Sequence, residues 1–147
     1  MQLNKFTDYA LRILMYIAQP RDIPYTIAEI AQDLHVSRNH LVKIVHFMGK
    51  QNWLITTRGK GGGIGLNPEA LELKLGQIVR ILQGENQIVE CNTPPCVLRS
   101  HCGLKGTLDQ ALEQFYRSLD QYTLAQVLNT SPIAKFTTQS PIQMINL

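Results

Sequence analysis

The chain is 147 residues long, 44% hydrophobic and 17% charged, with a formal net charge of +3 at pH 7. That length accommodates one domain, or a small domain with one appended element, and buries a core without disulfide staples. No uncharged apolar run approaches the roughly 20 residues of a membrane span, and Asp8 and Arg12 fall where a signal peptide would be uncharged, so neither segment is expected.

The first periodic segment, TDYALRILMYIAQ, predicts a helix with Leu11, Leu14, Met15 and Ala18 on its apolar face, Thr7 as its cap and Pro20 as its stop. TIAEIAQDLHV opens with Thr26-x-x-Glu29, a capping box in which the hydroxyl accepts a free backbone N–H and the carboxylate reaches back to the cap. Ile27, Ile30, Ala31 and Leu34 form its apolar face. After a break at His35–Val36, Ser37 is placed to cap a third helix, RNHLVKIVHFMGKQN, with a stripe of Leu41, Ile44, Val45 and Met48. Two short helices joined by a tight break make a helix-turn-helix. WLITTRGKGGGIGL then reads as two β-stretches around a basic, glycine-rich turn, which completes a winged helix.

Beyond Pro68 the segment LGQIVRILQGE returns to helix, with Ile78, Val79 and Leu82 apolar. A cysteine loop interrupts. GLKGTLDQALEQFYRSLDQYTLAQVL then places Leu104, Leu108, Ala111, Leu112, Phe115 and Leu119 at three- and four-residue steps. A helix of that length beyond a compact winged-helix core has little of its own to pack against and is expected to pair with a second copy. Thr123 is placed to cap a last short helix. The closing TSPIAKFTTQSPIQMINL has no clear period and is expected to be loose.

Charge is unevenly spread. Between Asp33 and Glu69 there is no acidic residue, while Arg38, Lys43, Lys50, Arg58 and Lys60 all fall there, with His40 and His46 beside them. This window coincides with the third helix and the wing, the elements of a winged helix that meet DNA. Ser37, Arg38, Asn39 and His40 start the helix that would enter the major groove, where Arg38 suits guanine and Asn39 suits adenine. Lys43 and Lys50 suit phosphate, and Arg58 and Lys60 on the wing flank glycines that leave room for a close backbone or minor-groove approach. A solvated basic face and a permissive hairpin turn are the plain alternatives for each feature alone; their joint occurrence in helix-turn-helix order favours DNA.

All three cysteines fall in CNTPPCVLRSHC, spaced Cys91-x4-Cys96-x5-Cys102. The expected compartment is the cytoplasm, where clustered cysteines serve metals or redox chemistry more often than structural disulfides. The spacing is neither that of a zinc ribbon nor that of a bacterial ferredoxin. Three thiolates can hold an iron–sulfur cluster if a fourth ligand comes from elsewhere. A structural zinc with His101, a reversible disulfide and unligated thiols remain open, although the adjacency of His101 and Cys102 makes joint ligation of one ion awkward. No Ser/His/Asp or Cys/His catalytic arrangement is readable, and GKGGG lacks the order of a phosphate-binding loop, so no enzyme is expected.

FTDYALRILMYIA, VSRNHLVKIV, TTRGKGGGIGL, LGQIVR, the cysteine triplet and LDQYTLAQVL together resemble the bacterial family of winged-helix iron–sulfur repressors that includes NsrR and IscR. The resemblance runs from residue 1 to about residue 128, and SRNHLVKI with the cysteine spacing points to the nitric-oxide-sensitive NsrR branch. It implies a homodimeric, cytoplasmic repressor that binds a double-stranded operator under control of a cluster near the subunit interface. A 4Fe–4S cluster is favoured, with 2Fe–2S as the alternative, and nitric oxide is the implied signal. By position, Cys91, Cys96 and Cys102 would be thiolate ligands, and the partner subunit's Asp8 a carboxylate ligand. Asp8 also has an ordinary role, since acidic side chains suit the first turn of any helix. An IscR-like site would need a histidine three residues after the last cysteine; Lys105 stands there and cannot ligate while protonated. A sensor of iron supply or redox state is the competing regulator, and a small iron–sulfur redox protein the competitor from another class.

The expected fold class is mostly α with a small β wing, a winged helix-turn-helix plus a long C-terminal dimerisation helix. The expected division is a winged-helix DNA-binding domain over 1–75, a cluster-binding loop and dimerisation helix over 76–128, and a loose tail over 129–147.

Overall fold

The computed structural model describes residues 2–84 and 87–130; the tail from residue 131 onward lies outside the described residues. Helix α1 (Lys5–Ile17) is capped by Asn4, whose side-chain oxygen accepts the Thr7 backbone N–H at 2.7 Å. Thr7 is therefore not the cap. It sits inside the first turn, fully buried. The core face of α1 is also rotated from the expected stripe: Ala10, Ile13, Leu14 and Ile17 are buried, while Leu11, Met15 and Ala18 lie half-buried on its flanks. YALRILMYIA is apolar around most of its circumference, so period alone does not select the face that packs.

Helix α2 (Ile27–Asp33) carries the capping box, with Thr26 Oγ1 accepting the Glu29 N–H at 3.2 Å and Glu29 Oε2 accepting the Thr26 N–H at 3.5 Å. His35 takes a positive φ of 53° in the turn, which reverses the chain toward α3 (Arg38–Lys50). Ser37 caps α3 by accepting the His40 N–H at 3.3 Å, and Leu41, Ile44, Val45 and Met48 are buried. Strands β1 (Leu54–Thr57) and β2 (Gly63–Leu66) pair antiparallel, with Leu54 opposite Leu66 and Thr57 opposite Gly63. Tyr25, just ahead of α2, exchanges two backbone hydrogen bonds with Ile64, at 2.7 and 3.1 Å, and so roots the wing in the helical layer.

A 3-10 turn (Pro68–Glu72) leads to α4 (Leu75–Gln83), which buries Ile78, Val79 and Leu82. One apolar core joins α1, α2, α3 and the wing with Ile78 and Leu82 of α4 and Leu124 of α6 (Leu124–Thr130). Helix α6 has its own capping box: Gln126 N–H donates to Thr123 Oγ1 at 3.3 Å and Thr123 N–H to Gln126 Oε1 at 2.8 Å.

Helix α5 (Gly103–Leu119) stands apart from this core, with Tyr116 its only buried residue. Tyr116 packs beneath the Arg80 guanidinium, 4.1 Å from the ring centroid, and Arg80 also pairs with Glu113 at 3.1 Å. At the α4–α5 crossing a Cβ on Gly76 would lie 2.4 Å from the Tyr116 carbonyl and from Asp120 Oδ1, so the two backbones meet where only glycine fits. Leu104 is exposed, and Leu108, Leu112, Phe115 and Leu119 are only half-buried, leaving a row of apolar side chains along α5. Among the described residues no helix is long and apolar enough to cross a membrane.

Candidate nucleic-acid interface and cysteine loop

The capping of α3 by Ser37 fixes where the helix begins, and that start sets which side chains face outward. Arg38, Asn39, His40 and Lys43 are exposed, as are His46 and Lys50 further along. Arg58 and Lys60 are exposed at the wing tip. Among the described residues none of these cations meets a carboxylate or a side-chain hydrogen-bond acceptor, unlike Arg12, Arg21, Arg80, Lys105 and Arg117, which are all paired. Asp33, the acid that borders the basic window, is itself occupied by the Tyr16 hydroxyl. The face spanning α3 and the wing is therefore positive and uncompensated, a surface suited to polyanion binding. A groove of about 600 Å³ runs between α3 and the wing, lined by Val42, His46, Lys50, Thr56 and Arg58 among others.

Two glycines of the wing are required by the hairpin itself. A Cβ on Gly62 would fall 2.2 Å from the Thr57 carbonyl oxygen, and one on Gly63 would fall 2.6 Å from that of Tyr25. At these positions wing closure is reason enough for glycine.

The three thiols are free, with Cys91 buried and Cys96 and Cys102 half-buried. Successive turns wind the loop: Cys96 N–H donates to the Cys91 carbonyl at 3.1 Å, Arg99 N–H to that of Cys96 at 3.2 Å, and His101 N–H to that of Leu98 at 3.1 Å. Glu90 Oε1 accepts the Asn92 and Thr93 N–H groups at 2.6 and 3.3 Å and fixes the entry. Cys102 is the N-cap residue of α5 and makes no side-chain capping bond there. His101 Nδ1 is 2.9 Å from Ser100 Oγ.

Among the described residues no three His, Cys, Asp or Glu side chains converge into a group able to hold a metal ion. The donor type nonetheless suits a soft metal or an iron–sulfur cluster, since three unpaired thiols share one short loop. Among the described residues, one chain brings three thiols into a single loop without drawing them into one group. Asp8 lies elsewhere, half-exposed on the first turn of α1, where Arg12 Nε donates to its Oδ1 at 2.9 Å. That pair raises the pKa of the Arg12 guanidinium. Lys105 donates to Asp109 one turn along α5, and this bond keeps its ammonium protonated to higher pH than usual, which further removes it as a ligand.

One constellation has no signal in the local sequence. Gln83, the last residue of α4, accepts the buried Thr7 hydroxyl at 2.7 Å and the Asn4 N–H at 3.2 Å through Oε1. The Asn4 amide donates back to the Gln83 carbonyl at 3.4 Å. The end of α4, from which the chain runs to the cysteine loop, is thus tied to the first turn of α1, which carries Asp8. Phe6 of that turn packs edge-on against Phe47 of α3, with ring centroids 5.3 Å apart.

Residues 3–130 match the family model Rrf2, described as an iron-dependent transcriptional regulator. The HTH-type transcriptional regulator NsrR of Halalkalibacterium halodurans is 39% identical over 132 residues, which cover 87% of this chain and 90% of that protein. The protein of the same name in Bacillus subtilis is 37% identical, covering 87% and 90%. Among solved structures, CymR (YrzC), the global cysteine regulator of B. subtilis, superposes with a TM-score of 0.69 at 24% identity over 89% of this chain and 98% of that one, a likeness of fold.

Proposed function

The chain belongs to the Rrf2 family of transcriptional regulators, and from that premise we propose that it is a homodimeric repressor whose hold on operator DNA is controlled by an iron–sulfur cluster, with nitric oxide as the signal. One observation carries this reading: an uncompensated basic face on α3 and the wing shares a chain with three free thiols gathered in the loop that feeds α5. A regulator needs both an output surface and an input site, and a small redox protein has no use for the first.

Cys91, Cys96 and Cys102 would hold the cluster together with the partner subunit's Asp8, and 4Fe–4S suits that set of three thiolates and one oxygen donor better than 2Fe–2S. When bound, it supplies iron that nitric oxide can attack, most readily where a carboxylate holds it less firmly than a thiolate does. The half-buried row Leu108, Leu112, Phe115 and Leu119 on α5 supports pairing with a second copy, since it has only partial cover in one chain. Each chain then presents α3 to one half-site, with Arg38 and Asn39 toward base edges and Ser37, His40, Lys43, Arg58 and Lys60 toward the backbone.

Two recognition helices must match half-sites about 34–36 Å apart, so a modest change in how the chains sit weakens binding to both at once. Were Asp8 not ligating, its carboxylate would pair with Arg12 one turn away, as it does in the single chain. The protein would work in the cytoplasm, on genes that respond to nitric oxide.

The test is an anaerobic absorption spectrum with iron, sulfide and zinc analysis, repeated after nitric oxide and paired with a gel shift on genomic fragments. About four iron and four sulfide per chain, bands that change with nitric oxide and a shift lost in parallel are expected. Stoichiometric zinc with a featureless visible spectrum after anaerobic expression would make the loop a structural clip and end the sensing half of the proposal.

A further inference from the structure

The outward face of α3 contains one residue that its polar neighbours do not explain. Val42 is 51% exposed, while Leu41, Ile44, Val45 and Met48 on the same helix are buried. Its row runs Arg38, Val42, His46, Lys50 at four-residue steps, flanked by Asn39 and Lys43, and every other member is polar and exposed. Val42 also lines the groove between α3 and the wing, together with Thr56, Thr57 and Arg58. A single exposed valine elsewhere on a surface would be unremarked. Here it lies in the middle of the face that carries the base-reading candidates.

In the major groove one base alone offers an apolar group, the C5-methyl of thymine. A β-branched side chain holds its two methyls in one strongly preferred rotamer in a helix, so it can meet such a group with little further ordering. Val42 stands one turn, about 6 Å of rise, beyond Arg38, which is on the order of two base-pair steps along the groove. We infer that Val42 reads a thymine C5-methyl in each operator half-site, close to the base pair met by Arg38. This inference rests on the DNA-binding reading above and adds to it a residue and a base.

The experiment selects half-sites from a random-sequence duplex library with the anaerobically purified full-length protein. Each thymine of the selected site is then replaced singly by uracil, which removes the methyl and keeps the hydrogen-bonding edge. One thymine per half-site should lose about 3- to 10-fold in affinity on replacement, and Val42→Ala should bind the thymine and uracil duplexes equally. Alanine has the better helix propensity and the position is half-exposed, so the variant is expected to fold, which its thermal unfolding verifies. Uniform tolerance of uracil, or a thymine dependence that persists in Val42→Ala, would overturn the inference while leaving DNA binding intact. Recovery of no preferred sequence at all would defeat the operator-binding reading itself, and this inference with it.

Discussion

Arg12 Nε and Asp8 Oδ1 lie 2.9 Å apart, one turn along α1, with both side chains substantially open to solvent. The carboxylate proposed to reach into the neighbouring subunit is therefore already engaged within its own helix, and the ion pair and the proposed ligation draw on the same side chain. Asp8→Ala should leave the fold and its melting temperature nearly unchanged, because exposed pairs at this spacing contribute little. The same variant should shorten the lifetime of the cluster in air, whereas Arg12→Ala, which frees the carboxylate, should hold or lengthen it. Identical decay of the visible bands in Asp8→Ala and the parent would remove Asp8 from the ligand set.

The two basic residues of α3 that the proposal treats differently should separate in salt titrations. Lys43→Ala should weaken binding about equally on all sequences and reduce the slope of log K against log salt by about 1. Arg38→Ala should instead cost about 1–3 kcal/mol of discrimination at one base pair. Fluorescence anisotropy on the selected operator and on single-base variants gives both numbers. Equal behaviour of the two variants would count against direct reading by Arg38.

The Gln83 clamp should respond unequally from its two sides. Thr7→Val removes one hydrogen bond and leaves Gln83 Oε1 still accepting from Asn4, so a loss of about 1 kcal/mol is expected. Gln83→Leu strands the fully buried Thr7 hydroxyl, whereas the exposed Asn4 N–H turns to water, and should cost about 1–3 kcal/mol. Urea unfolding of the two variants measures the difference, and equal losses would mean that Thr7 finds another acceptor.

Glu29 links stability to pH. Its hydrogen bond from Arg21 holds the carboxyl below the usual carboxylate range, and the capping bond from Thr26 acts in the same direction. A folded-state pKa below the unfolded one means that the ionised group stabilises the fold above about 4.5. That contribution is lost as pH falls through this value toward the folded pKa. Side-chain exposures of 31% for Arg21 and 33% for Glu29 allow solvent screening, so at most about 1 kcal/mol is at stake. Urea midpoints measured from about pH 6 to about pH 3 should fall less steeply in Glu29→Gln than in the parent.

The sequence by itself determined most of the elements and the caps that begin α2, α3 and α6. Thr26 with Glu29, Ser37 and Thr123 cap helices where their spacing indicated, because a cap is an interaction between residues two or three positions apart. The stripe Leu41, Ile44, Val45 and Met48 was legible because the rest of α3 is polar, so one face alone could be buried. The carboxylate-free window and the cysteine spacing were likewise properties of the line of residues, and the motifs from FTDYALRILMYIA to LDQYTLAQVL together carried the resemblance to the family.

Tertiary structure decided what depends on distant neighbours. On α1, where apolar residues surround most of the helix, contact with α3 and α4 selected Ala10, Ile13, Leu14 and Ile17 for the core, and Asn4 rather than Thr7 became the cap. Thr7 was left to meet Gln83, a partner 76 positions away that no local pattern announces. Gly76 owes its necessity to the Tyr116 carbonyl across the α4–α5 crossing. Hydrogen bonding within a turn of helix is written in adjacent residues, whereas contacts between elements depend on how the chain returns on itself, and only the packed core fixes that.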